Sequence, residues 1–216
     1  IAQVTAEAGF EVILVDLEDK FVNRGMENIL KNWGRAINKG TRTAEEVDQL
    51  KTRLTGTTNY DNLKECELVI EAVVEKMSIK KELFNKLDGI CPAETILASN
   101  TSALSITELA AATKRPNQVV GVHFFNPVPA MKLVELVPGA ETSAETVTAV
   151  KEFCSAIGKE AIAVKESPGF IVNRLLIPYI NEAAIIYDQG VASPAEIDQA
   201  MKLGANMPMG PLALAD

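Results

Sequence analysis

Apolar positions recur along this chain in two alternating rhythms up to residue 164 and in a single rhythm after it. Short continuous apolar runs have the length and β-branched content of buried strands: FEVILVD ending at Asp16, ELVIEAV at 67–73, TILAS at 95–99, QVVGVHF at 118–124, KLVELV at 132–137 and EAIAV at 160–164. Between them lie segments with the three-to-four spacing of helices. Ile1 to Ala8 reads as the later part of a helix stopped by Gly9. Val22 to Asn38 and Thr43 to Leu54 read as a helical hairpin over 22–54, turning at Gly40, with Thr43 and Glu46 as a capping box. Ser78 to Ile90 is the next helix. Ser105 and Glu108 open a short one to Ala112, and Thr142 and Glu145 open one to Ile157.

Strands alternating with helices predict an α/β domain with a largely parallel sheet over residues 1–166. After Glu166 no strand pattern appears. SPGF leads into a long apolar helix interrupted by Pro178 and ending at Gly190, and Ser193-Pro194-x-Glu196 opens another. Residues 167–216 therefore read as the start of a helical second domain. A doubly wound sheet normally begins with a strand, a glycine turn, a helix, a second strand and an acidic residue. Here only the last three are present, so the chain reads as an excerpt of a longer protein.

Composition narrows the class. The 216 residues are 47% apolar and 23% charged, which is ordinary for a folded domain. The most apolar stretch, Phe170 to Tyr187, carries Asn173, Arg174, Pro178, Asn181 and Glu182, so it predicts a buried helix rather than a membrane span. Three widely spaced cysteines argue against a disulfide framework and for a reducing compartment, which we take as the cytoplasm. A single histidine without a Cys-x-x-Cys leaves too few ligands for a zinc site. The net charge of −8 disfavours nucleic acid and anionic membranes as partners.

Several residues could carry chemistry. Asp16 closes a strand where a dinucleotide-binding fold puts the acid that accepts from ribose hydroxyls, although a loop Asp can equally cap the next helix. Asn100, Thr101 and Ser102 follow TILAS at a strand's carboxyl end, where open α/β sheets bind ligands and where turn chemistry also favours these residues. Glu75 and Lys80 follow ELVIEAV in the same way. His123, the only histidine, ends a strand, and a lone histidine is often a satisfied core residue. If 118–124 and 132–137 pair with Phe124 opposite Lys132, then Gly121 faces Glu135. His123 becomes its diagonal neighbour, roughly 7–8 Å away and within reach of the carboxylate. Asn173 sits in the apolar helix, and a buried Asn must be hydrogen-bonded, either to backbone or to a ligand.

The segments SNTSALSITEL, HFFNPVPAMKLVEL, PGFIVNRLLIPYINEA and AMKLGANMPMGPLALAD are together very similar to the L-3-hydroxyacyl-CoA dehydrogenase family, above all its short-chain bacterial members, in order and over essentially the whole chain. The resemblance implies a Rossmann-type NAD-binding domain and a helical C-terminal domain that forms a homodimer. It implies reversible NAD-dependent oxidation of an (S)-3-hydroxyacyl-CoA such as 3-hydroxybutyryl-CoA to the 3-oxoacyl-CoA. By motif, His123 is the base, Glu135 its partner, and Ser102 and Asn173 contact substrate and nicotinamide. Asp16 binds ribose, and Glu75, Lys80, Asn100, Ser102 and Asn126 line the cofactor site. The rival readings are a non-catalytic nucleotide-binding relative and a dehydrogenase of free hydroxy acids.

Overall fold

The computed structural model describes residues 1–216, which divide into two units, Ile1–Glu166 and Ser167–Asp216. In the first unit a two-stranded parallel sheet pairs β1 (Val12–Val15) with β2 (Leu54–Thr57). A second sheet of five strands has the order β3 (Leu68–Glu71), β4 (Ile96–Ser99), β5 (Val119–Phe124), β6 (Leu133–Pro138), β7 (Glu160–Ala163). All its neighbours are parallel except β5 and β6. The carboxyl ends of β3, β4 and β5 consequently lie along one edge, and that edge carries most of the chemistry described below.

The helices are α1 (Ala2–Glu7), α2 (Asp19–Asn38), α3 (Ala44–Thr52), α4 (Met77–Ile90), α5 (Ile106–Ala110) and α6 (Ala144–Ala156). Two apolar cores hold the unit. One packs Val120, Val122, Phe124, Val134 and Leu136 against Val150 and Cys154 of α6. The other packs Trp33 and Ile29 of α2 against Val47 and Leu50 of α3 and Leu54. The Trp33 indole donates to Glu7 at 2.7 Å, so the buried ring keeps its polar atom satisfied.

Three expectations need correcting. The helix read over 43–54 ends at Thr52, and Leu54–Thr57 is a strand that pairs with β1. Its sequence, LTGT, is too short and too polar to show an apolar run. Gly56 is there for clearance, because a Cβ would meet Val22 Cγ1 of α2 at 2.6 Å. The cap of α6 is Ser143, which accepts from Thr146. Thr142 instead spends its hydroxyl on the Val119 carbonyl at 2.6 Å. At α5 only half of the expected box forms. Ser105 accepts from Glu108 N at 3.0 Å, while the Glu108 carboxylate turns to Lys81 at 2.6 Å.

The second unit is helical: α7 (Val172–Asp188) with Pro178 inside it, α8 (Pro194–Gly204) and α9 (Pro211–Ala215). Ser193 and Glu196 form the capping box of α8, with Pro194 in its first turn. Asp198 of α8 accepts from Leu212 N at 2.8 Å and Ala213 N at 2.9 Å, which ties α9 down. Gly210 permits this approach, since a Cβ there would meet Asp198 Cγ at 2.3 Å. No helix of the molecule is long and apolar enough to cross a membrane.

Candidate active site

His123 is the fifth residue of β5, a strand buried along its whole length. It pairs directly with Glu135 of β6. The register is offset by two residues from the expected one: Phe124 faces Val134, not Lys132. Met131 and Lys132 are absorbed by the turn, in which the Pro127 carbonyl accepts from both Ala130 and Met131. An offset of two keeps every side chain on its face, so the pair survives and comes closer. His123 Nδ1 lies 2.8 Å from Glu135 Oε2. Both groups are enclosed, with side chains 7% and 1% exposed, so the contact is strong in its low-dielectric setting. The Phe125 ring covers the imidazole with 4.5 Å between centroids. That aromatic neighbour was not singled out from sequence.

Asn100 follows β4. Its side-chain oxygen accepts from Phe124 N at 2.9 Å, and its backbone N–H donates to the Glu71 backbone carbonyl at 2.7 Å. It therefore ties the ends of β3, β4 and β5 together, next to His123. Ser102 lies in the turn that follows, with its backbone held by Glu75: Ser102 N and Ala103 N donate to Glu75 Oε1 at 2.8 and 3.2 Å. The Thr101 hydroxyl donates to the same oxygen. Burial pushes the Glu75 carboxyl up, but hydrogen bonds from Thr101 and Ser102 and the Lys80 ammonium outweigh it. The group is held below the ordinary carboxylate range.

Lys80, expected to line the cofactor site, is turned inward and wholly buried. Its ammonium is shared between Glu71 at 2.7 Å and Glu75 at 3.3 Å. A buried lysine must be paired, and here pairing takes the whole of its donor capacity away from the surface. Asn126 is exposed in the turn after β5. Asp16 follows β1, half-buried, with Oδ1 accepting from Leu17 N at 2.7 Å. Its charge is felt at Tyr60, whose phenol is pushed up by burial and then by Asp16. Asn173, in the first turn of α7, belongs to the second unit.

Strands β3, β4 and β5 are parallel and end side by side, and open α/β sheets bind dinucleotides at such carboxyl ends. Asp16, at the end of β1 in the other sheet, commits Oδ1 to Leu17 N. Residues 1–167 match the family model described as 3-hydroxyacyl-CoA dehydrogenase, NAD binding domain, and residues 169–216 match its C-terminal domain. The chain belongs to the 3-hydroxyacyl-CoA dehydrogenase family. Its α/β first unit is the family's NAD-binding domain of Rossmann type, and NAD is its cofactor.

Individual relatives agree. The chain is 50% identical over its whole length to the 3-hydroxybutyryl-CoA dehydrogenase of Clostridioides difficile, covering 77% of that protein. It is 48% identical to a probable 3-hydroxybutyryl-CoA dehydrogenase of Bacillus subtilis, covering all of this chain and 75% of that one. Among solved structures, the (S)-3-hydroxybutyryl-CoA dehydrogenase of Ralstonia eutropha superposes with a TM-score of 0.96 at 47% identity, over 99% of this chain and 76% of that one. Membership of this family makes the protein an NAD-dependent oxidoreductase.

Proposed function

We propose that this protein oxidises (S)-3-hydroxybutyryl-CoA, or a close short-chain homologue, to the 3-oxoacyl-CoA, and runs the reverse reduction at the same site. The single observation that carries the proposal is the enclosed contact between His123 Nδ1 and Glu135 Oε2 at the carboxyl edge of the sheet. When bound, NAD supplies the acceptor for the hydride leaving the carbinol carbon.

The protein's own part is proton handling and orientation. Glu135 holds the proton on Nδ1, which fixes the tautomer in which Nε2 takes the hydroxyl proton of the substrate. As the ring becomes an imidazolium, the carboxylate beside it stabilises the new charge. In the reductive direction the same imidazolium returns the proton. Ser102, presented by a turn that Glu75 holds at two backbone amides, steadies the substrate oxygen. Asn173 takes the same duty on the strength of the family motif. Asp16 accepts from the adenosine ribose hydroxyls, and its charge opposes a 2′-phosphate. Glu75, Asn100 and Asn126 line the cofactor side, with Lys80 acting there through Glu75. A homodimer built on the second unit is part of the proposal. It is supported by the resemblance of residues 169–216 to the family's C-terminal domain.

The test is kinetic. NADH oxidation is expected with acetoacetyl-CoA and not with acetoacetate, which separates a thioester enzyme from one acting on free acids. His123→Gln should lower kcat by about a hundredfold or more, the scale of general-base catalysis, while NADH affinity by fluorescence titration stays within about twofold. Turnover like that of the unaltered protein in this variant would remove His123 from the mechanism.

A further inference from the structure

Glu71 ends β3 with a side chain that is 0% exposed, and its carboxylate receives three donors. Val73 N donates to Oε1 at 2.6 Å, Lys80 Nζ to the same oxygen at 2.7 Å, and Ser99 Oγ to Oε2 at 2.7 Å. These donors come from the exit of β3, the first turns of α4 and the end of β4. One buried anion thus joins three elements at the edge where the reaction is proposed to occur. From Lys80 the connection continues outward to Glu75 Oε2 at 3.3 Å. Glu75 in turn gathers Thr101 Oγ1, Ser102 N and Ala103 N on its other oxygen. The links run without a break from the sheet interior to the backbone of Ser102.

Stability alone does not account for this arrangement. A buried ion pair costs so much desolvation that apolar side chains of similar volume usually serve a fold as well or better. What two charges and three fixed donors supply is geometric definition: both carboxylate oxygens of Glu71 are held by donors, and the direction in which Lys80 meets Glu75 is set with them. The Glu75 side chain is 40% exposed, and Lys80 meets the oxygen that Thr101, Ser102 and Ala103 do not use.

We propose that Glu71 is a positioning residue for the reaction: through Lys80 it orients the Glu75 carboxylate, and through Glu75 it sets the turn that presents Ser102 to the substrate. This rests on the reading of Ser102 as a substrate contact given above. Glu71 touches neither substrate nor cofactor. It acts on the transition state by fixing where the Ser102 hydroxyl stands, and small displacements of such groups are expensive in rate.

Glu71→Gln keeps the shape and an acceptor but removes the charge that balances Lys80. In the intact protein, with acetoacetyl-CoA and saturating NADH, it should lower kcat by roughly tenfold to a hundredfold, a larger factor than any rise in the NADH dissociation constant that follows from Glu75 lining the cofactor side. A loss confined to folding would lower the active fraction and leave kcat per bound NADH unchanged. The deciding measurement is the double-mutant cycle with Ser102→Ala. If Glu71 works through Ser102, the double variant is scarcely slower than Ser102→Ala alone; multiplied losses overturn the proposal. Should Glu71→Gln not fold, Ser99→Ala removes only one of the three donors. It should give a smaller fall in kcat, about threefold, that likewise vanishes in the Ser102→Ala background; a fall that persists there, or no fall, overturns the proposal. An unaltered protein inactive on acetoacetyl-CoA would instead overturn the functional reading beneath it.

Discussion

At position 123 one carboxylate makes deep burial compatible with the proton transfer proposed for the imidazole. An imidazolium enclosed this deeply would be costly alone, and Glu135 at 2.8 Å offsets that cost. A second buried group behaves in the opposite way. Cys154, packed under β5 and β6, has no partner for a thiolate, and burial pushes its thiol up to about 11. Thiol reagents at pH 8 should therefore leave Cys154 unmodified in the folded protein and modify it within minutes in denaturant, read by mass spectrometry of the peptides. Rapid native labelling of Cys154 would contradict the packing. The same shift has a thermodynamic sign. As pH rises from about 9 to about 11 the unfolded thiol loses its proton first, so stability declines over that window. Legibility in the sequence followed chemistry: His123 and Glu135 were readable because a lone His and a Glu sat at matching parity on adjacent strands. Glu71 was hidden inside the apolar run ELVIEAV. The signal was present nonetheless, since a carboxylate in a buried strand demands a cation, and Lys80 is nine residues on.

Among the elements, α5 is short and depends on what meets its first turn. Glu166, the last residue of the first unit, accepts from Thr107 N at 3.3 Å and from the Thr107 hydroxyl. Burial pushes this carboxyl up, but hydrogen bonds from Ser105, Thr107 and the α5 amides outweigh it, leaving it below the ordinary range. The unfolded carboxyl titrates near 4.3, roughly, so just below that pH the unfolded chain binds more protons and stability falls with acidification. The contribution is complete above the unfolded value and is lost as pH drops through the folded one. Glu166→Gln should lower Tm at neutral pH and make its decline between about pH 5 and pH 3 shallower, measured by thermal circular dichroism. An unchanged slope would show that Glu166 is not the carboxylate responsible. Strong elements were legible because their apolar period is long. Strand β2 was not, since its pairing with β1 comes from tertiary fit around Gly56 rather than from four residues of pattern. The α6 cap was misassigned by one residue because Thr142 and Ser143 are chemically equivalent in sequence, and only the Val119 carbonyl distinguishes them.

For the molecule as a whole, the two units divide the work differently. The first holds the His123–Glu135 pair and the buried charge network around Glu71 and Lys80, while the second is a small helical unit. If the second unit pairs with a second copy, as proposed, light scattering of the intact protein should give twice the mass of one polypeptide. Leu175→Asp combined with Leu203→Asp should shift it towards one. A monomer before substitution would refute the dimer. Fold class was readable over the whole chain because the α/β rhythm and its loss after residue 164 are large-scale patterns. The buried links between strand ends were not, because they join residues far apart in sequence. The dyad is the exception: its two members are 12 residues apart on one hairpin. Bringing them together closes a short loop at little entropic cost. The couple to which proton transfer is assigned by proposal is therefore local in the chain, brought together when two neighbouring strands zip.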